Sequence, residues 1–251
     1  MNGVAFVSDV HVRFGDQDYL EAFLRFLRHV PSIARSLYIH GDLFDFYIGE
    51  KQGRLEFYRP LFDTLAQLVR DGVAVGVLAG NRDFLLDRSF RDAGVTIHSD
   101  EVRLDLGGRR VHLSHGDQFC VHDKSYQAAR KVLRSRPVKA LMAAMPASVA
   151  VFLANRYRGI SRRKTARMLA GDGSRLSTIL DGVRMLLDRE RFDWVICGHI
   201  HHLAETPMQG KTGEAVLFTT GAWEQAPNFI HFDGENLHVR RFEALAPAAA
   251  G

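Results

Sequence analysis

The chain has 251 residues, of which 46% are hydrophobic and 25% charged, enough to bury one substantial core and too few to demand two independent domains. Its two cysteines, Cys120 and Cys197, form neither a C-x-x-C pair nor a bridge framework, which excludes a disulfide-stapled scaffold and fits a reducing compartment. The net charge of +4 averages over basic and acidic residues that are unevenly placed.

In chain order, the opening stretch MNGVAFVSDVH has no basic region leading into an apolar one, so a cleaved signal peptide is not expected. Short apolar runs then end repeatedly in Asp, Asn, His or Gly: VAFVSDVH, LYIHGD, VAVGVLAGNRD, VHLSHGD and WVICGHIHH. Such runs, bounded by turn residues, read as buried strands. Helical periods separate the first three. Asp18 is expected to cap a helix burying Leu20, Phe23, Leu24 and Leu27, and Leu55 to Val69 repeats the pattern. The first third therefore reads as βαβαβ with a largely parallel sheet.

After Gly94 the turn signals Gly107-Gly108 and Asp233-Gly234 indicate hairpins, and with them a second, mixed or antiparallel sheet. Residues 126–187 are mostly helical in pattern, with breaks at Pro137, Pro146, Gly159 and 171–173. They are expected to form a helical cap inserted in a single domain spanning 1–251. Within this cap the stretch Ala140 to Ala154 is uncharged, but it is shorter than the roughly 20 residues that cross a bilayer and is interrupted by Pro146. From Lys124 to Gly171 there are 12 Lys/Arg and no Asp or Glu, against 21 basic and 29 acidic residues elsewhere. So one-sided a segment points to an anionic partner, the plainer alternative being a solvated helical face. The Ala/Pro-rich tail from Ala244 is expected to fray.

The chemistry lies at the strand ends. Asp9 and His11 close the first run, and residues two apart in an extended chain share a face; His199 and His201 repeat the spacing. Asp42 follows Gly41, Asn81 follows Gly80, and His115 precedes Gly116-Asp117. Carboxylate, amide and imidazole without thiolate suit Mn, Fe or Zn in a catalytic rather than a structural site. Seven ligands exceed what one ion takes. Two ions sharing a carboxylate, roughly 3.5–4 Å apart, could clamp a phosphoryl group for in-line attack. Any one of these histidines could instead be a hydrogen-bonded core residue; five such elements in order, each after an apolar strand, are poorly explained that way.

The order D-x-H, G-D, G-N-[HR]-D, H, G-H-x-H resembles the calcineurin-like metallophosphoesterase superfamily over nearly the whole chain. The resemblance implies an α/β fold, a two-sheet sandwich flanked by helices (αββα). It also implies one metal on Asp9, His11 and His201, a second on Asn81, His115 and His199, and Asp42 bridging. Asn81 to Leu86, GDLFDFYIG from Gly41, HGDQFCVHDKSYQAAR from His115 and Gly221-Ala222-Trp223 are similar to the UDP-2,3-diacylglucosamine hydrolase family of the lipid A pathway. That family implies cleavage of a lipid-linked UDP-sugar at its pyrophosphate, usually with two manganese ions. It also implies catalytic roles for Asp42, Asn81, Arg82 and His199.

Arg82 carries a chemical argument of its own. Many superfamily members have histidine there, able to protonate a poor alkoxide leaving group, whereas a guanidinium cannot give up its proton near neutrality. A departing phosphomonoester, with a second pKa of about 6, needs little protonation and gains from a planar cation. Arg82 therefore favours a pyrophosphate, unless it merely pairs with Asp83 at the surface.

By the same resemblance Asn81, Arg82, Asp123, Tyr126, Ser161 and His199 are expected to contact substrate, a core role being the alternative for Tyr126. The family's cap asparagine and lysine fall at Thr165 and Met168, a departure that Lys164 and Arg167 are placed to offset. Met142, Met145, Val149, Val151, Phe152 and Leu153 could line an acyl groove, and Arg156, Arg158, Arg162 and Arg163 its cationic rim. An anionic membrane surface, on the cytoplasmic face of the inner membrane, is the expected partner. Aromatics in the cap are too sparse for nucleic-acid stacking. The rival readings are another calcineurin-like phosphodiesterase or nuclease, and a non-catalytic scaffold of the same fold.

Overall fold

The computed structural model describes residues 3–144 and 176–243. Strand β1 (Val4–Val7) is buried at every position and pairs in parallel with β2 (Ser36–His40), which pairs in parallel with β3 (Ala74–Leu78), followed by the short β4 (Thr96–Ile97). Parallel neighbours need crossovers, supplied here by α1 (Gln17–Ile33), and by α2 (Glu50–Gly53) with α3 (Arg59–Arg70). Helix α1 buries Leu20, Phe23, Leu24, Phe26, Leu27 and Val30, the 3–4 spacing of one helical face.

Two helix starts differ from the sequence expectation. Asp16, not Asp18, caps α1, its carboxylate accepting the Tyr19 N–H at 3.2 Å, so Asp18 falls in the first turn. The second helix starts at Arg59, four residues later than expected, after a 3₁₀ turn at Glu56–Tyr58. Pro60, which has no N–H to bond backward, suits the first turn of a new helix better than the middle of an old one.

The remaining strands are β5 (Glu101–Leu106), β6 (Arg109–Ser114), β7 (Trp194–Cys197), β8 (Ala204–Gly210), β9 (Gly213–Thr219), β10 (Asn228–Phe232) and β11 (Leu237–Arg241). The first sheet has the order β11-β10-β1-β2-β3-β4 and the second β5-β6-β7-β9-β8. In the second, β6, β7 and β9 are parallel while hairpin partners β5 and β8 run antiparallel at the edges, a mixed sheet. Gly107 and Gly108 turn the β5–β6 hairpin with φ of 60° and 81°, values that glycine adopts without strain.

Val4, Phe6, Leu78, Val111, Leu113, Trp194, Ile196, Phe218 and Ile230 fill the space between the sheets. Helices α1 and α3 cover the outer face of the first sheet. Helix α4 (Arg88–Asp92) follows β3, and α5 (Lys124–Leu133) and α6 (Arg136–Ala144) follow β6. Helix α7 (Ser177–Leu187), at the end of the segment read as cap, buries Ile179, Val183 and Leu187 with Phe192, Val195 and Leu217 under the second sheet. The fold is thus the expected α/β sandwich. Its consequence is positional: β1, β2, β3, β6 and β7 each release their C-terminal loop toward one site.

Candidate metal centre

Among the described residues, the non-glycine residues with positive φ are Asp9 (53°), His11 (57°), Asp42 (52°), His199 (69°) and His201 (53°). All five are expected ligands. Left-handed backbone costs such residues on the order of 1–3 kcal/mol each and persists where surrounding structure enforces it. The same angles correct the reason given for the D-x-H spacing. Asp9 and His11 lie beyond β1, and neither has the negative φ of a strand. They converge because the chain kinks at each of them, not because an extended chain alternates.

The loops after β1 and β2 run side by side. Asp9 N–H donates to Gly41 O at 3.2 Å, His11 N–H to Asp42 O at 3.0 Å and Val12 N–H to Leu43 O at 2.8 Å. The loop after β3 joins them through Asp83, a residue to which the sequence reading gave no role beyond a surface partner for Arg82. Its fully buried carboxylate accepts the N–H groups of Gly80 at 2.8 Å, Asp42 at 3.1 Å and Leu43 at 2.7 Å. Arg82 pairs instead with Asp45, Nη1 to Oδ1 at 2.7 Å, and its Nε lies 3.5 Å from Asp42 Oδ2. A Cβ on Gly80 would collide with the Asp42 carboxylate and backbone nitrogen, so only glycine lets these two loops approach.

Asp9 Oδ2 accepts from Ser8 Oγ at 2.5 Å and from the His199 N–H at 3.0 Å, leaving Oδ1 buried without a partner and 3.3 Å from His201 Nε2. His11 Nε2 and His201 Nε2 face each other at 3.1 Å. His115 Nδ1 lies 3.1 Å from the His40 carbonyl, and as donor there it leaves its Nε2 lone pair toward Asn81 Oδ1 at 3.0 Å. His199 Nδ1 is 2.9 Å from the same oxygen. Asp42 stands between the two trios, 4.0 Å from His11 Nδ1 and 3.7 Å from His115 Nε2. Lone pairs that face one another at such distances call for a shared cation or proton. The partnerless Asp9 Oδ1 and His11 Nδ1 add two more buried donor atoms, so the residues fit a metal centre. Asp9, His11 and His201 form one compact cluster, and Asp9, Asp42 and His115 a second.

The electrostatics of the cluster are set by burial and by close-packed carboxylates and imidazoles. Burial would raise the Asp9 carboxyl, but the imidazoles of His201, His115 and His11 outweigh it and hold it well below the usual range. Burial pushes Asp42 up to about 6, against the pull of His115. His11 and His199 are both lowered by burial first; Arg82 adds to this at His11 and His115 at His199, which is brought to about 4. Neutral imidazoles beside carboxylates are the form that binds metal.

Asp123 caps α5, accepting the Tyr126 N–H at 3.0 Å. The Tyr126 hydroxyl donates to Asp117 Oδ2 at 2.8 Å, while its ring centroid lies 6.0 Å from that of His199. Trp223 packs on Tyr19, Phe23 and Phe26 and donates its backbone N–H to Asp9 O at 3.2 Å, pinning the first ligand loop from behind. Met142 and Leu133, on α6 and α5, pack against Ala79, Phe84 and Leu85. Ser161, Lys164, Thr165, Arg167 and Met168 lie outside the described residues, as do the groove and rim positions from Met145 to Arg163. A hollow of about 470 Å³ at Arg109, Trp194 and Gln209 contains none of the centre's residues.

The calcineurin-like phosphoesterase family model matches residues 3–203. A UDP-2,3-diacylglucosamine hydrolase from Salmonella paratyphi B is 31% identical over 242 residues, 94% of this chain and 98% of the relative. That of Aeromonas salmonicida is 32% identical over 254 residues, 98% of this chain and 96% of the relative. A solved archaeal phosphodiesterase, 11% identical, covers 96% of this chain and 99% of its own with a TM-score of 0.48. The chain belongs to the calcineurin-like phosphoesterase family and to the branch that these bacterial relatives represent, as a metal-dependent phosphoesterase.

Proposed function

We propose that this enzyme hydrolyses the pyrophosphate of UDP-2,3-diacylglucosamine, giving UMP and 2,3-diacylglucosamine 1-phosphate, with two manganese ions as cofactor. Asp9, His11 and His201 would hold one ion, Asn81, His115 and His199 the other, and Asp42 would lie between. Two such ions supply Lewis-acid charge to a phosphoryl group and make water a competent nucleophile at neutral pH. The donor set, all oxygen and nitrogen with no thiolate in it, favours manganese over a softer choice.

The observation that carries the substrate reading is Arg82. Its guanidinium is anchored on Asp45, reaches Asp42 and remains 23% exposed at the edge of the centre. Its backbone N–H donates to Asp42 Oδ1 at 2.9 Å, so side chain and backbone share one orientation. A fixed cation that keeps its proton offsets the charge that builds on a departing phosphate and cannot protonate a departing alkoxide. Close in sequence to it, Phe84, Leu85 and Leu86 with Ile48 line an opening of about 300 Å³ whose edge carries Glu50, Lys51, Asp87 and Lys139, an apolar surface of the kind an acyl chain requires, rimmed by charges of both signs.

The cap gives the membrane reading. Val132 and Leu141 are 60% and 66% exposed on α5 and α6, within the segment that carries 12 basic and no acidic residues, which suits a peripheral protein on an anionic leaflet. Among the described residues no helix is long and apolar enough to cross a membrane.

The test is kcat on UDP-2,3-diacylglucosamine and on an activated aryl phosphodiester for wild type, Arg82→Ala and Arg82→Lys. Arg82→Ala should lose on the order of 10²–10³ on the pyrophosphate, as for a single preorganised transition-state contact, and much less on the aryl ester. Lysine should rescue in part. In ¹⁸O-labelled water the label should enter UMP. Equal losses on both substrates would overturn the role of Arg82, and label in the sugar phosphate would overturn attack at the uridylyl phosphorus.

A further inference from the structure

Tyr126, Arg130 and Arg134 are spaced four residues apart, one face of α5 and its C-cap. All three reach a single carboxylate. Asp117 Oδ2 accepts from the Tyr126 hydroxyl at 2.8 Å, Arg130 Nε at 2.8 Å and Arg134 Nη2 at 3.0 Å. Asp100, in the loop before β5, takes the other ends of both guanidiniums, 2.8 Å from Arg130 Nη2 and 2.6 Å from Arg134 Nη1. Asp117 is fully buried, and the two arginine side chains are 15% and 10% exposed.

A buried carboxylate and two largely buried guanidiniums, closed over by the half-exposed Asp100, are weak evidence for stability, because desolvation offsets most of their attraction. What distinguishes this cluster is where its last hydrogen bond goes. Arg134 Nη2 donates to the carbonyl of Gly80 at 2.9 Å. That carbonyl belongs to the peptide plane that also contains the nitrogen of Asn81. On its other side Gly80 donates its N–H to Asp83 at 2.8 Å. The residue before Asn81 is therefore held at both polar groups, by Asp83 from within the loop and by Arg134 from the root of the cap.

We propose that Arg134, aligned by Asp117 and Asp100, is a positioning residue for the reaction: through the Gly80–Asn81 peptide it sets the Asn81 side chain between His115 and His199, and so makes the cap part of the metal centre. This rests on the assignment of Asn81 as a ligand under the function proposed above. A cap that only gripped the lipid would need no bond to the Gly80 carbonyl, and a merely structural ion cluster would have no reason to end there.

Arg134→Gln and Arg134→Lys test it, with kcat and KM on the lipid substrate and on the aryl phosphodiester. Melting temperature and manganese retained after dialysis against a weak chelator complete the set. Arg134→Gln should lower kcat roughly 10- to 100-fold on both substrates, the range for supporting groups behind ligands, with KM little changed and less manganese retained. Lysine keeps the charge but cannot bridge Gly80, Asp117 and Asp100 together, so it should recover only part of both readouts. If the glutamine variant does not fold, the lysine variant is judged by the same criteria. A loss confined to KM for the lipid, or unchanged kcat with wild-type manganese retention, would overturn the proposal. A wild type that cleaves the aryl ester but not the lipid would refute the substrate while leaving the Arg134 comparison intact on the ester.

Discussion

Replacing Asp83 by alanine should destabilise the protein by about 3–5 kcal/mol, although Asp83 is not among the expected ligands. The carboxylate accepts four backbone N–H groups, from Gly80, Asp42 and Leu43 at 2.7–3.1 Å and from Phe44 at 3.4 Å, and is fully buried. Each donor left unpaired in such a place costs about 1–3 kcal/mol. The four do not add in full, because the Phe44 bond is long and because burial itself lifts the Asp83 carboxyl above its ordinary range in spite of those bonds, so removing the group also removes a desolvation cost. For a chain of this size each kcal/mol moves Tm by about 2–4 °C, giving a fall of roughly 6–20 °C. Asp83→Asn keeps one oxygen but turns an NH₂ toward a backbone donor, and should lose about half as much. Thermal melts of the chelated proteins provide the assay, since chelation leaves the loops after β2 and β3 joined by protein contacts alone: this side chain, the Arg82 pairs and the Tyr47–Arg82 backbone bond. A fall of less than ~2 °C for the alanine variant would refute the reasoning, as would an asparagine variant no less stable than wild type.

Asp42→Ala should lose activity together with at least one metal ion, measured by metal analysis of the purified protein; a near-single stoichiometry in active wild type, or full occupancy in the variant, would contradict a shared carboxylate. Gly198→Ala should depress kcat by on the order of 10²-fold, because the added methyl meets Ser8 Oγ and Asp9 Oδ2, both fully buried; wild-type kcat would show that the Asp9 loop can yield. His112, fully buried on β6, is lowered to about 4 chiefly by burial, with Arg103 assisting and Glu101 and Glu190 opposing. Since its unfolded pKa is near 6.5, the unfolded chain takes up the proton first: stability is fully present above about pH 6.5 and is lost as pH falls toward 4, by about 3 kcal/mol. Urea titrations of wild type and His112→Gln between these limits should show a shallower decline in the variant, and parallel declines would count against the assignment.

Much of the site was legible because its parts are local. A β-branched run ending in Gly-Asp or Gly-Asn announces a buried strand and the loop beyond it, and the side chains that can bind a metal are named by the sequence itself. Arg82 could be given a chemical role from the chemistry of a guanidinium alone. The partners of these groups could not be read. Asp45 and Arg82 are 37 positions apart, Asp83 and Asp42 41, and Arg134 and Gly80 54, and each pairing exists only because the β2, β3 and β6 loops emerge at one rim of the sandwich. Even the D-x-H spacing, read as bringing Asp9 and His11 together, does so through left-handed backbone at both residues and not through strand alternation. Residue chemistry and strand periodicity are written along the chain, within the reach of a few bonds. Which buried carboxylate meets which donor depends on how two sheets close on each other, and that is set by the whole core at once.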